Sequence, residues 1–348
     1  DGVHAEAVSV LTSLLRDDSQ FTAPVLESLS SLQFDAETGL EVCKLVTRSV
    51  LSARASDLPC ITRFLLEHLT SDNAAEVTAA LRTGLSQELF AAGGGAGADE
   101  ALLLDAILSS LRLRSDLGSL LLTQLESLKR AAEHKPIDWW LTCALHAAAD
   151  AKSRGRAAKM LGDKAGKQLF GHSLLRTAIC GHGAALKPHY ALMLQLAGGL
   201  VRTPSSSVAR HVGGSLYGLL FETFAEPYER QEMIGQMLTH AGSGVTSEVD
   251  QALATLVDLA SRDPFGVSAF SSFITGVLDY LDGLTVPQAR LAFELFARVA
   301  YDADERGSRL QDELHITIRK QLTSSAPRYK SLGVLGGCCL LGRARPCA

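Results

Sequence analysis

Aromatic residues are scarce, with Phe, Trp and Tyr together making 6% of the 348 residues. Strands favour aromatic and β-branched residues in period-2 runs, and no sustained run of that kind is present, nor an Asn-Gly or Asp-Gly turn between alternating runs. An all-β or mixed fold is therefore excluded. The seven cysteines (43, 60, 143, 180, 338, 339 and 347) form no C-x-x-C pair and no regular framework. In a chain this long and apolar, that spacing predicts reduced thiols. Excess positive charge is also missing: the net charge is −5, so nothing global attracts nucleic acid or an anionic membrane, and any such site has to be local. The longest nearly uncharged apolar run, about a dozen residues around ALMLQLAGGLV, is too short to span a bilayer. The opening DGVHAEAVSVL has no basic leader pattern. A soluble, intracellular protein without a membrane contact is the expectation.

What is abundant is leucine and alanine at a period of 3.6. In SDLPCITRFLLEHL, Leu58, Ile61, Leu65 and Leu69 share one face with Phe64 beside them, Ser56 or Asp57 can cap, and Pro59 falls in the first turn. Val249, Leu253, Leu256 and Leu259 recur in the same way behind Ser247. LTVPQARLAFELFARVA opens with a Thr285-x-x-Gln288 capping box and directs Leu291, Phe293, Leu295 and Val299 inward. Similar helices begin near Val3, Ala23, Asp35, Ala75, Glu100, Ser119, Pro136, Leu174, Lys187, Ser206, Tyr228, Phe265 and Arg309. Short links join helices that carry one or two apolar stripes and a polar face, in pairs recurring at roughly forty residues. The pattern predicts an all-α fold, an α-solenoid of stacked antiparallel helical pairs of the HEAT/ARM-like kind, over residues 1–337. The glycine-rich stretch 91–99 reads as a flexible loop inserted in it, and 338–348 as a divergent tail.

Catalytic patterns fail on spacing. Gly162 and Gly166 enclose three residues where a phosphate loop needs four, and Gln168 stands where it needs Ser or Thr. GGSLYG (213–218) misplaces the second glycine of a nucleophile elbow, so its glycines read as close-packing positions. His172, Cys180, His182 and His189 lack the two close pairs that zinc requires. Neither a metal nor a cofactor is expected, and the chain is read as not an enzyme. The segment 151–167 is different, with Lys152, Arg154, Arg156, Lys159, Lys164 and Lys167 against Asp163 alone. It is either a solvated loop or a sequence-independent contact to DNA phosphates.

Near the end, QLTSSAPRYKSLGVLGG places Pro327 where it breaks one helix and starts another. Lys330 then sits in the first turn, held by a rigid helical start, with small residues packing beyond it. An amine so placed is a candidate nucleophile toward a thioester, and a structural lysine is the plain alternative.

SDLPCITRFLLEHL, YERQEMIGQMLTHAGSGVTSEVDQALATLVDLA, GVLDYLDGLTVPQARLAF and LQDELHITIRKQLTSSAPRYKSLGVLGG resemble, in order, the Fanconi anaemia group D-two family. The resemblance runs over nearly the whole chain and is strongest from Phe265 onward. Family members are much longer, so the chain is similar to a piece of their N-terminal α-solenoid. The resemblance implies a non-enzymatic, nuclear and chromatin-associated scaffold of interstrand-crosslink repair. Such a scaffold pairs with the paralogous Fanconi anaemia group I protein and closes as a clamp on double-stranded DNA. It further implies one ubiquitin, placed by the group L ring-type ligase with its E2 enzyme and removed by a deubiquitinase complex. The acceptor implied is Lys330, in RYKSLGV. A general HEAT-type interaction adaptor without a regulated lysine is the alternative. An enzyme would require a convergent polar pocket.

Overall fold

Short polar side chains open the helices by accepting the amide protons that the first turn leaves unpaired. Asp35 accepts from Glu37 and Thr38, Asp150 from Lys152 and Ser153, and Ser206 from Ala209. Thr285 and Gln288 form the expected capping box, with Pro287 in the first turn. Asp57 precedes its helix but bonds Arg54 instead of capping. The computed structural model describes residues 2–17, 21–32, 34–90, 97–302 and 308–343, and among these no strand occurs.

The chain divides into two compact units, Asp1–Met193 and Leu194–Ala348. The first contains α1 (Gly2–Asp17), α2 (Thr22–Ser30), α3 (Ala36–Ser49), α4 (Leu58–Glu67), α5 (Ala74–Leu89), α6 (Gly97–Leu113), α7 (Leu117–Ser127), α8 (Pro136–Ala148), α9 (Ala151–Gly166), α10 (His172–Ile179) and α11 (Gly183–Leu186). Helices two apart in sequence pack on one another: α2, α4, α6, α8 and α10 form one layer, and α3, α5, α7 and α9 the other. Short links fold each helix back on its neighbour. That i-to-i+2 stacking is what a solenoid of helical pairs requires. The apolar stripes drive it: Leu58, Ile61, Phe64, Leu65 and Leu69 are all buried as their spacing predicts. α8 is enclosed further, with every residue from Ile137 to His146 buried.

The division falls within α12 (Tyr190–Val201). The second unit continues with α13 (Ser207–Thr223), α14 (Pro227–Ala241), α15 (Thr246–Arg262), α16 (Pro264–Ser268), α17 (Ser271–Thr275), α18 (Val286–Tyr301), α19 (Ser308–Thr323) and α20 (Pro327–Leu341). α13, α15, α18 and α20 form its continuous row. Val249, Leu253, Leu256 and Leu259 of α15 are buried, as are Phe293, Leu295 and Val299 of α18. Leu291, expected inward, is only half-buried. The glycines of GGSLYG do serve close packing: a Cβ on Gly213 would lie 2.8 Å from the Val201 amide nitrogen. The chain is thus an all-α protein built as an α-solenoid.

One boundary differs from the sequence reading. The glycine-rich stretch was expected to stay a loop through Asp99, but α6 begins at Gly97. Asp99 and Glu100 then lie in the first turn, where carboxylates meet the positive end of the helix dipole; residues 91–96 lie outside the described ones. At the other end α20 runs on to Leu341, with Leu340 buried. The first residues of the 338–348 tail are therefore helical, and 344–348 lie outside the described residues.

Candidate functional site

Lys330 lies in the first turn of α20 and is exposed, its amide bonded to Ala326 O at 3.2 Å. Its two neighbours are tied down. The Arg328 guanidinium donates to the Asp282 carbonyl and, at 3.3 Å, to the Leu284 carbonyl. The Tyr329 hydroxyl donates to Asp282 Oδ2 at 2.7 Å, and that hydrogen bond raises the phenol's pKa. The start of the helix is thereby fastened to the segment preceding α18. One and two turns on, small residues bring the helix close to its supports. A Cβ on Gly333 would lie 2.8 Å from the Leu322 amide nitrogen, and one on Gly336 2.8 Å from Phe293 Cε1. Lys330 is the reachable amine on an immobilised turn. Val334, one turn further, is 57% exposed.

The basic segment 151–167 is helix α9, not a solvated loop. Asp150 caps it, and Ala157, Met160, Leu161 and Ala165 give it a buried apolar stripe. Its six cations therefore separate by direction. Lys152, Arg154, Lys159 and Lys167 are exposed. Arg156 is engaged with Glu126 at 2.9 and 2.5 Å and with Thr123 Oγ1 at 3.1 Å. Lys164 points inward and is 4% exposed, which removes it from any surface that lies flat on DNA.

Lys164 instead ends a buried chain of polar groups that sequence reading missed. Its Nζ contacts the Leu128 carbonyl at 2.9 Å and His134 Nε2 at 3.1 Å. His134 Nδ1 lies 3.2 Å from Asp138 Oδ2. Asp138, wholly buried, takes a two-pronged contact from Arg82, at 2.6 Å to Oδ1 and 2.7 Å to Oδ2. The Lys135 amide also donates to it, at 2.9 Å. Burial alone would raise the Asp138 pKa, but the hydrogen bonds from Arg82 and His134 and the guanidinium charge outweigh it and hold the carboxyl below its ordinary value. With an ionised carboxylate at Nδ1, His134 donates there and accepts at Nε2 from Lys164. Burial lowers the Lys164 pKa to about 8, with Lys129 and Arg82 adding to the shift and Asp138 opposing it. The one sequence signal was the His134–Asp138 spacing of four at a helix start; Arg82 and Lys164 come from elsewhere in the chain.

His182 joins no metal cluster: its Nδ1 bonds Glu100 Oε1 at 2.9 Å. Among the described residues no group of three or more His, Cys, Asp or Glu side chains could hold a metal ion.

The model of the family described as Fanconi anaemia protein FancD2 nuclease matches residues 1–346. The chain belongs to the FancD2 family. A mouse relative, described as Fanconi anemia group D2 protein homolog, is 28% identical over 366 residues, which cover 98% of this chain and 25% of the relative. The rat homolog is 28% identical with the same coverage, and the chicken Fanconi anemia group D2 protein 27% identical over 365 residues. The chain spans 25% of the length of these FancD2 relatives. Membership makes it a Fanconi anaemia pathway protein, as the resemblance of its motifs implied.

Proposed function

We propose that this FancD2-family chain is a non-catalytic scaffold segment of interstrand-crosslink repair and that Lys330 receives a single ubiquitin. The observation that carries the reading is an exposed amine on a turn fixed by Arg328, Tyr329 and the close packing at Gly333 and Gly336. A ligase needs such an arrangement: reach for the nucleophile without slack in the backbone that presents it. In the transfer, Lys330 Nζ attacks the carbonyl of the E2-bound ubiquitin thioester. The C–N isopeptide bond forms, the C–S bond breaks, the amine loses a proton, and the E2 cysteine departs as thiolate.

The attached ubiquitin then favours the closed state of a clamp formed with the paralogous group I protein on double-stranded DNA, because it adds contacts that only this state makes. The exposed Val334, Ile316 and Leu341 leave apolar surface on α19 and α20 for a partner to cover. The exposed cations of α9, Lys152, Arg154, Lys159 and Lys167, supply phosphate contacts. The group L ligase with its E2 would load the site, a deubiquitinase complex would clear it, and both acts belong to chromatin in the nucleus. The word nuclease in the family description stands against the non-catalytic reading; the donor sets on the described residues supply no metal-binding triad for it. A buried Lys330 would favour the general-adaptor alternative, and the residue is exposed.

Reconstitution with E1, E2, ligase, paralogue and DNA tests the reading. Lys330→Arg should abolish monoubiquitination while leaving helical content and paralogue binding intact. Undiminished modification of another lysine in that variant removes the claim.

A further inference from the structure

Between α7 and α9 the first unit holds a cavity of about 480 Å³, lined by Glu126, Lys129, Arg156, Lys159, Asp163, Lys164 and Lys167 with apolar Leu128, Met160 and Leu169. Five of these side chains are cationic and two anionic, and the two do not balance them. Glu126 is already committed to Arg156. Asp163 is exposed. Lys129, Lys159 and Lys167 are exposed around the opening, and Lys164 lies buried beneath.

No carboxylate pairs directly with the buried amine. Asp138 is taken up by Arg82, which meets both its oxygens. The direct partners of Lys164 are a carbonyl and an imidazole nitrogen, neither of them an anion. An ammonium has three N–H donors and these partners use two, leaving the third for the cavity that Lys164 lines. Burying a cation without a direct counterion is costly, and the depressed Lys164 pKa reports that cost. An anion in the cavity would relieve it.

A second observation falls on the same rim. Gln168, between the lining residues Lys167 and Leu169, has φ 57°, and among the described residues no other non-glycine has a positive φ. A left-handed residue just past a helix end is the Schellman way of closing it. Here it lets the chain double back after α9, with the Leu169 amide bonding Lys164 O at 2.9 Å, and leaves Lys167 at the rim.

We propose that this cavity is a receptor for a phosphate monoester carried on a protein segment, a phosphoserine or phosphothreonine side chain whose oxygens reach Lys164 at the floor. A dianion with three acceptor oxygens matches one buried and several rim cations. A duplex-DNA phosphate, part of a continuous backbone and singly charged, does not project far enough to meet a lysine that is 4% exposed.

The test titrates the whole chain with N-acetyl-phosphoserine amide, its unphosphorylated counterpart, inorganic phosphate and a short DNA duplex. Calorimetry is run near pH 8 in two buffers of different ionisation enthalpy. Saturable binding of the phosphoserine compound is expected, with none of the unphosphorylated one, and with proton uptake as the anion raises the Lys164 pKa. The groups facing that amine besides His134 are Asp138, Arg82, Lys129 and Glu126, and loss of the uptake in Lys164→Met assigns it to Lys164. Lys164→Met should weaken binding about tenfold and remove the buffer dependence, and Lys159→Glu, at an exposed position, should weaken it similarly. Three results overturn the proposal: a folded Lys164→Met chain that binds like the wild type, equal binding with and without the phosphate, or DNA binding that falls as steeply as phosphoserine binding in Lys164→Met. Inorganic phosphate binding while phosphoserine is excluded would overturn the side-chain source.

Discussion

Asp138 is wholly buried yet held ionised, because Arg82 meets both its oxygens and His134 and the Lys135 amide complete its contacts. Asp138→Ala would strand the Arg82 guanidinium in the interior. Removing one partner of a buried pair costs about 3–5 kcal/mol, which urea unfolding should register as a lowered midpoint. The same carboxyl sets an acid limit. Its folded pKa lies below the ordinary 3.8, so the stability it lends is present above that value and lost as pH falls through the folded value. Lys164 acts at the other end of the scale. Its folded pKa of about 8 lies below the ordinary 10.5, so between these the unfolded chain holds a proton that the folded chain has released. Stability should therefore rise with pH across that window, and Lys164→Met should flatten the rise. Parallel urea midpoints at about pH 7.5, 8.5 and 9.5 for both chains decide it. Beyond the His134–Asp138 spacing none of this was legible in sequence, because partners 30 to 56 positions apart meet only once α5, α8 and α9 have stacked.

At the level of the helix, α9 and α20 show where pattern reading succeeds and where it stops. Pro327 marked the start of α20 correctly, since a proline both breaks the preceding helix and fits the next one's first turn. α9 was hidden by its charge. Its cap Asp150 and its stripe of Ala157, Met160, Leu161 and Ala165 were all in the sequence, but six cations in seventeen residues masked the period. A helix that dense in charge folds because the stripe is buried, whatever the other faces carry. Two glycines in these helices predict opposite outcomes. Gly155 of α9 meets nothing within 4 Å, so Gly155→Ala should add about 1 kcal/mol through helix propensity alone. Gly333→Ala gains the same propensity but drives its methyl onto the backbone nitrogen of Leu322, which cannot rotate away. Overpacking of about 1–3 kcal/mol should win there, lowering the melting temperature and speeding amide exchange in α20.

On the scale of the whole molecule, the repeated pairing of helices was readable because one rule, an apolar stripe every 3.6 residues with short links, recurs along the chain. The direction of each charge was not, and it decides how an acidic protein would meet DNA. A chain of net charge −5 is repelled by a duplex unless its cations are gathered on one exposed face. α9 offers Lys152, Arg154, Lys159 and Lys167 to solvent and withdraws Arg156 and Lys164. If the four exposed cations contact phosphates, each contact releases counterions and steepens the salt dependence of binding by about 0.9 in the log–log slope. Replacing Lys152 and Arg154 by alanine should therefore flatten that slope by about 2, with affinity falling alike on unrelated duplex sequences. Lys164→Met should leave the slope as it is, since its amine never reaches the surface. Fluorescence anisotropy of a labelled duplex over a salt series separates the two variants. An unchanged slope in the double alanine chain would detach α9 from DNA altogether and leave its exposed cations as a solvating face.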